Sequence, residues 1–204
     1  FNEGHYNLYG LGWGLMDYEG KEIISHTGGV NGFVTSVTLL PEINLGVVVL
    51  TNTDQNAFFQ MLKWEIVDAY LSLPYRNYDN HIFQQAMKGK EHRDSLIAAW
   101  RDSVLMDLKS DFKLSELTGK YENEVYGYAE IRQKESFLEL TLEHHSKLKG
   151  KLEYIGNSRF LCTYSDPTYG IKVFPFEIED GKVKSFDLYV DDFIDYQAYK
   201  FVKQ

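Results

Sequence analysis

Ser25-His26-Thr27-Gly28-Gly29-Val30-Asn31-Gly32-Phe33 is followed by two apolar alternating runs, Val34 to Leu40 and Leu45 to Leu50, joined by Pro41-Glu42-Ile43-Asn44. Alternation with period two marks a half-buried strand, and proline and asparagine between such runs mark a turn. Glycine weakens a strand interior and signals a bulge or a close backbone approach. Gly28 and Gly29 are therefore read as a place where something outside the sheet reaches the main chain, and Gly32 as keeping a bulge behind them. Upstream, Leu11 to Asp17 and Lys21 to His26 are short strand candidates around the turn Asp17-Tyr18-Glu19-Gly20, which predicts about four antiparallel strands in all. Asp54 is then read as an N-cap. Ala57 to Leu73 carries apolar residues at 58, 61, 62, 66, 69, 70 and 73 before Pro74, the spacing of an amphipathic helix laid on that sheet.

Five elements follow one another in order: Tyr9-Gly10-Leu11-Gly12-Trp13, His26-Thr27-Gly28-Gly29, Asn31-Gly32-Phe33, Leu39-Leu40-Pro41-Glu42 and Gly46-Val47-Val48-Val49-Leu50-Thr51-Asn52. In this order and spacing they resemble the C-terminal part of the serine β-lactamase and penicillin-binding-protein superfamily, on the branch of class C β-lactamases, D-aminopeptidases and related esterases. The resemblance implies that His26-Thr27-Gly28 stands where the family usually has Lys-Thr-Gly, on the edge strand of an antiparallel sheet beside a nucleophilic serine. It assigns the N–H of Gly29 to an oxyanion hole, the one catalytic role that it places in this chain. It makes His26, Thr27 and Gly28 substrate-binding. His26 and Thr27 would contact a polar group of the substrate, and Gly28 would clear the approach of a substrate paired as an added strand. Histidine, with a reference pKa of ~6.5, is mostly neutral at pH 7 where lysine is charged. That substitution tilts the expectation from an anionic β-lactam towards a D-amino-acid peptide or an ester.

The family's two other motifs, Ser-x-x-Lys and Tyr-x-Asn, precede the third. Here the matches are Ser110 to Lys113, Ser146 to Lys149, Tyr75, Tyr78 and Tyr121, all after it, and they are read as coincidental. The nucleophile is thus expected outside these residues. Phe1 opens the chain in mid-pattern instead of a methionine, so a fragment of a longer protein is expected, inactive alone, periplasmic or extracellular through its missing part.

The 204 residues are 44% hydrophobic and 25% charged, ordinary for a folded chain. The net charge of −9 is spread as −6 over residues 1 to 74 and −3 over the rest, which leaves no basic surface for a phosphate backbone and argues against nucleic acid as a partner. No stretch approaches the ~20 apolar residues of a membrane span. The single cysteine, Cys162, lies in the apolar run 160 to 164 and is read as a small buried hydrophobe. Glu143-His144-His145 lacks the ligand spacing of a metal site and is read as a solvated turn. Neither metal nor cofactor is expected; the partner is a small-molecule or peptide substrate of the longer protein.

Residues 75 to 112 are read as a helical connector, with helical spacing at 82, 83, 86 and 87 and again from 96 to 108, broken or bent at Gly89. From 113 to 204 the period changes to two, with turn signals at Glu135-Ser136, Gly156-Asn157, Asp166-Pro167 and Asp180-Gly181. About eight short strands suggest a small antiparallel barrel. Leu117-Thr118-Gly119-Lys120-Tyr121 and Phe176 to Val183 resemble the lipocalin-like β domain of unknown function appended to these hydrolases. Its tyrosines (121, 126, 128, 154, 164, 169, 189, 196, 199) are read as barrel wall in preference to a ligand mouth. The expected class is thus α+β: a β-lactamase-like sheet with its helix over 1–74, a connector, and a barrel. A second reading makes the barrel a non-catalytic docking module for a ligand or cell-wall polymer. The first sheet, lacking its neighbours, bares an edge near Val47 to Leu50 and one apolar face, a liability that proteins cover. Sedimentation velocity is expected to show a dimer; a monomer at high concentration contradicts this.

Overall fold

The computed structural model describes residues 4–30, 32–53, 56–189 and 197–204. Asn31, the Asp54 read as a cap and Tyr196 lie outside them. The architecture is α+β, in two units of residues 1–92 and 93–204.

The first unit is an antiparallel meander in chain order: β1 (Asn7–Gly10), β2 (Trp13–Tyr18), β3 (Lys21–Val30), β4 (Phe33–Leu40) and β5 (Leu45–Thr51). The strand beyond the four predicted, β1, is only four residues long, too short for periodicity to register. Glu19 and Gly20 (φ 51° and 72°) and Leu11 and Gly12 (φ 52° and 82°) form two-residue loops with positive φ at both positions, the geometry that matches strand twist. Gly32 (φ 88°) lies in the connection between the paired residues Val30 and Phe33. The register from Ile24↔Leu39 to Val30↔Phe33 runs without a shift, so the expected bulge is absent and the glycine belongs to the loop.

Helix α1 (Phe58–Tyr70) begins where the Asn56 side chain accepts the Phe58 N–H at 3.1 Å, and it ends before Ser72 (φ 54°) and Pro74. It covers one face of the sheet. Phe59 packs on Val34, Val47 and Val49, and Val67 on Tyr18, Ile23 and Leu40. One turn from each of these, Lys63 is 7% exposed, with its Nζ 4.3 Å from the centre of the Trp64 ring. Burial pushes its ammonium down to about 8. The buried Asp68 accepts the hydroxyls of Tyr18 (2.5 Å) and Tyr78 (2.9 Å), while Arg76 donates to Tyr18 at 2.8 Å and pairs with Glu19. This network joins the β2–β3 hairpin, α1 and the first turn of α2 (Tyr78–Leu105). The predicted break at Gly89 does not occur. A glycine inside a helix costs only ~1 kcal/mol, less than breaking the hydrogen-bond ladder, and α2 continues for 28 residues.

In the second unit β6 (Gly119–Asn123), β7 (Gly127–Gln133), β8 (Leu138–Leu142), β9 (His145–Tyr154), β10 (Arg159–Tyr164), β11 (Ile171–Glu179), β12 (Lys182–Tyr189) and β13 (Ala198–Lys203) form a closed barrel. Each strand pairs with the next, and β13 returns to β6 through Val202↔Glu122 and Lys203↔Tyr121. An eight-stranded barrel is just wide enough for side chains or one small ligand. Side chains fill this one. Phe186 stacks on Phe176 and Phe201, with ring centres 5.1 and 5.3 Å away, and meets Tyr121 edge-on at 5.0 Å. Tyr121, Tyr164 and Cys162 are buried with them, and burial pushes the Cys162 thiol well up. Gly150 is required at its place in β9, because a Cβ there would lie 2.8 Å from the Cys162 sulfur.

Phe186→Ala removes the centre of this stack and is expected to lower stability by about 3–5 kcal/mol, read by urea unfolding of the barrel. Lys63 has its folded value near 8, below the 10.5 of a free lysine, so the unfolded chain holds the extra proton between those limits. The first unit should therefore gain stability as pH rises through that window. Lys63→Met should be more stable at neutral pH and lack this dependence; denaturant titrations at both ends of the window compare the two proteins.

Candidate functional site

The sheet order places β3 in the middle, not at an edge as the resemblance implied. The register explains how it still has an open side. Pairing with β2 ends at Gly14↔Ser25, where β2 turns back into the β1 hairpin, while pairing with β4 continues to Val30↔Phe33. Among the described residues, the strand has a neighbour on one side only along His26 to Val30.

Which backbone groups face the open side follows from antiparallel geometry. A two-residue loop makes its flanking residues, Val30 and Phe33, a hydrogen-bonded pair, and bonded pairs then alternate along the ladder. His26, Gly28 and Val30 exchange their N–H and C=O groups with β4. Thr27 and Gly29 turn theirs to the open side. The β2–β3 hairpin gives the same parity independently, since Tyr18↔Lys21 flanks its loop and Ser25 pairs towards β2.

Side chains divide by the same alternation. Thr27 and Gly29 belong to the face that carries α1, whereas His26, Gly28 and Val30 belong to the opposite one. Thr27 therefore stands across the strand from His26, and both are exposed. The Tyr9 hydroxyl and His26 Nε2 are 3.1 Å apart, and the Trp13 ring meets the imidazole edge-on with centres 6.4 Å apart. Tyr9 reaches His26 because the loop Leu11–Gly12 folds β1 back on β2, and because the Asp17 carboxylate fixes the entry to β1. Asp17 accepts the N–H groups of His5 and Tyr6 and lies 2.7 Å from His5 Nδ1, which together hold it below its ordinary pKa. The hydroxyl of Thr35 donates to Gly28 O at 3.4 Å, and a Cβ on Gly28 would come 3.0 Å from that hydroxyl.

The other sequence candidates are elsewhere. Ser110 follows α2 and donates to Phe112 O, Ser146 lies in β9, Tyr78 is bound to Asp68, and Tyr121 donates to Leu117 O. Neither serine opens a helix. Glu143 accepts the Tyr128 N–H, and among the described residues no three His, Cys, Asp or Glu side chains converge as metal ligands. No helix among them is long and apolar enough to cross a membrane. Sequence reasoning missed the Tyr9 contact, although Tyr9 and Trp13 stood in one quoted motif, because the pairing depends on a short hairpin. It also missed Ser36 and Thr38, two buried hydroxyls with no hydrogen-bond partner, which share the α1 face with Val34 and Leu40.

Along β3 an open half-strand with outward N–H groups thus lies beside a histidine and two aromatic rings. Residues 1–71 match the family model "Beta-lactamase", and residues 107–203 match "Domain of unknown function (DUF3471)". The chain thus carries a beta-lactamase-family segment followed by an eight-stranded barrel domain. Among curated proteins, "Unguisins hydrolase ungD" of Aspergillus violaceofuscus is 34% identical over 68 residues, 32% of this chain and 12% of the relative. "Unguisins hydrolase ungD'" of Aspergillus campestris is 32% identical over 76 residues, covering 36% and 14%. The chain spans about an eighth of the length of these relatives. Among solved structures, "Crystal structure of SurE with D-Leu" aligns over 96% of this chain and 38% of its own, with 15% identity and a TM-score of 0.36. The octameric penicillin-binding protein homologue from Pyrococcus abyssi aligns over 97% and 37%, with 16% identity and a TM-score of 0.34.

Proposed function

We propose that this chain is the C-terminal part of a serine hydrolase that forms an acyl-enzyme on D-amino-acid peptides, β-lactams or esters, with the nucleophilic serine supplied from outside these residues. The observation that carries the reading is the open side of β3, where among the described residues the Gly29 N–H has no strand to bond to. In acyl transfer the carbonyl oxygen of the substrate becomes an oxyanion, and a fixed backbone N–H aimed at it stabilises that charge without reorganisation. Gly29 is this donor. Thr27, two residues earlier on the same side, pairs with the substrate main chain as an added strand. His26 sits where the family has lysine, oriented by Tyr9, and contacts the substrate or the proton network of the serine; water then releases the acyl group. The 204 residues alone are inactive on this reading, and the parent protein works in the periplasm or outside the cell.

A second reading has one observation in its favour. The barrel interior is full, but a cleft of about 490 Å³ lies outside it, lined by Phe112, Tyr154, Asn157 and Ser158 among others, which suits a docking module.

Labelling the full-length parent with a fluorescent penicillin or fluorophosphonate tests the first reading. A labelled band that vanishes when the upstream Ser-x-x-Lys serine is mutated supports it; no labelling with either probe overturns it. Gly29→Pro removes the N–H without breaking the ladder to β4. It is expected to slow acylation of the parent by ~10²–10³-fold. The thermal unfolding of this chain should change little.

A further inference from the structure

We infer that the surface over Gly28 is a side-chain subsite for neutral, apolar acyl donors: peptide amides or esters with an aliphatic or aromatic side chain and no carboxylate on the reacting residue. This rests on the reading that the open side of β3 receives the substrate. Side chains on one face of a strand recur every ~6.6 Å, so the missing side chain at Gly28 leaves an opening of ~13 Å between His26 and Val30. Its floor is the Gly28 backbone and the Thr35 hydroxyl bonded to it. At one end stand the rings of Tyr9, Trp13 and His26. At the other stand Val30 and Phe33, paired across the hairpin and 69% and 52% exposed.

Charge narrows the ligand further. Lys21 is the single lysine or arginine in residues 1 to 53, against five carboxylates at 3, 17, 19, 22 and 42. It pairs with Glu42 at 3.7 Å. A substrate carboxylate placed over Gly28 thus meets no cation from this sheet. An apolar side chain there covers exposed rings and methyl groups and leaves the backbone edge free to pair.

The test uses the ¹⁵N-labelled 204-residue chain with N-acetyl-D-leucinamide, N-acetyl-D-serinamide and N-acetyl-D-leucine as probes. The leucinamide should shift the amide resonances from Thr27 to Phe33 and bind ~10-fold more tightly than the serinamide, the factor that burial of a leucine side chain supplies, and more tightly than N-acetyl-D-leucine, whose carboxylate meets no lysine or arginine of this sheet. Phe33→Ser should remove most of the preference over serinamide. His26→Lys should bring the free acid level with the amide, and Gly28→Leu should fill the opening and abolish the shifts while the remaining spectrum is unchanged. Equal affinity for the three probes, no shifts at 27–33 with leucinamide, or shifts centred instead on Leu8, Val48 and Leu50 would each overturn the inference. Probe labelling of the parent reads the serine and is indifferent to side-chain preference, while binding here needs no serine, so the two claims fail separately.

Discussion

The N-terminal unit depends on a mismatch of strand lengths. β3 has ten residues, and β2 covers five of them before it must turn into the β1 hairpin. A backbone N–H or C=O with no partner is a cost that folded proteins avoid when the group is buried, and an invitation to pair when it is exposed. Thr27 and Gly29 present two such residues side by side, on a strand that β4 holds straight from its other side. On the proposed function the rigidity matters as much as the openness, because a donor contributes to catalysis only when it is aimed before the charge develops.

The rest of the first unit keeps that strand in place. Phe59 and Val67 of α1 seat on opposite ends of the sheet, and the Tyr18–Asp68–Tyr78–Arg76 network ties the far end of β2 and β3 to both helices. A carboxylate buried among two phenols and a guanidinium is stable only while its hydrogen bonds are made, which fixes the geometry of all three elements. Between the two apolar seats lies a less comfortable layer, with Lys63 desolvated and the hydroxyls of Ser36 and Thr38 without partners. The opposite face carries Leu8, Val48 and Leu50 at 59%, 59% and 74% exposure. The sheet is thus packed on one side and apolar and open on the other.

The barrel solves the edge problem differently. Closing β13 onto β6 leaves no strand edge, and the phenylalanine stack fills the interior that the eight strands enclose. The cleft beside Phe112 and Tyr154 lies outside that packed interior. The tyrosines of the barrel divide accordingly, with Tyr121 and Tyr164 in the core and Tyr128 at 40% exposure.

Much of this was legible in the residues. Alternation from Val34 to Leu50 and the change of period near 113 gave the sheet, the barrel and the α+β class, because burial of one strand face imposes period two locally. The Tyr9-to-Asn52 motif order gave the family resemblance, because close backbone approach needs glycine at fixed places. The sequence could not tell that Gly89 would be absorbed by α2 or that Gly32 belonged to a loop, since both outcomes turn on the balance between one local cost and the bonds around it. Nor could it tell which half of β3 lies open, that Tyr9 meets His26, or that Asp68 gathers Tyr18 and Tyr78 from 50 and 10 residues away. Those depend on where one strand stops against another, a matter of register between distant segments that no local pattern encodes.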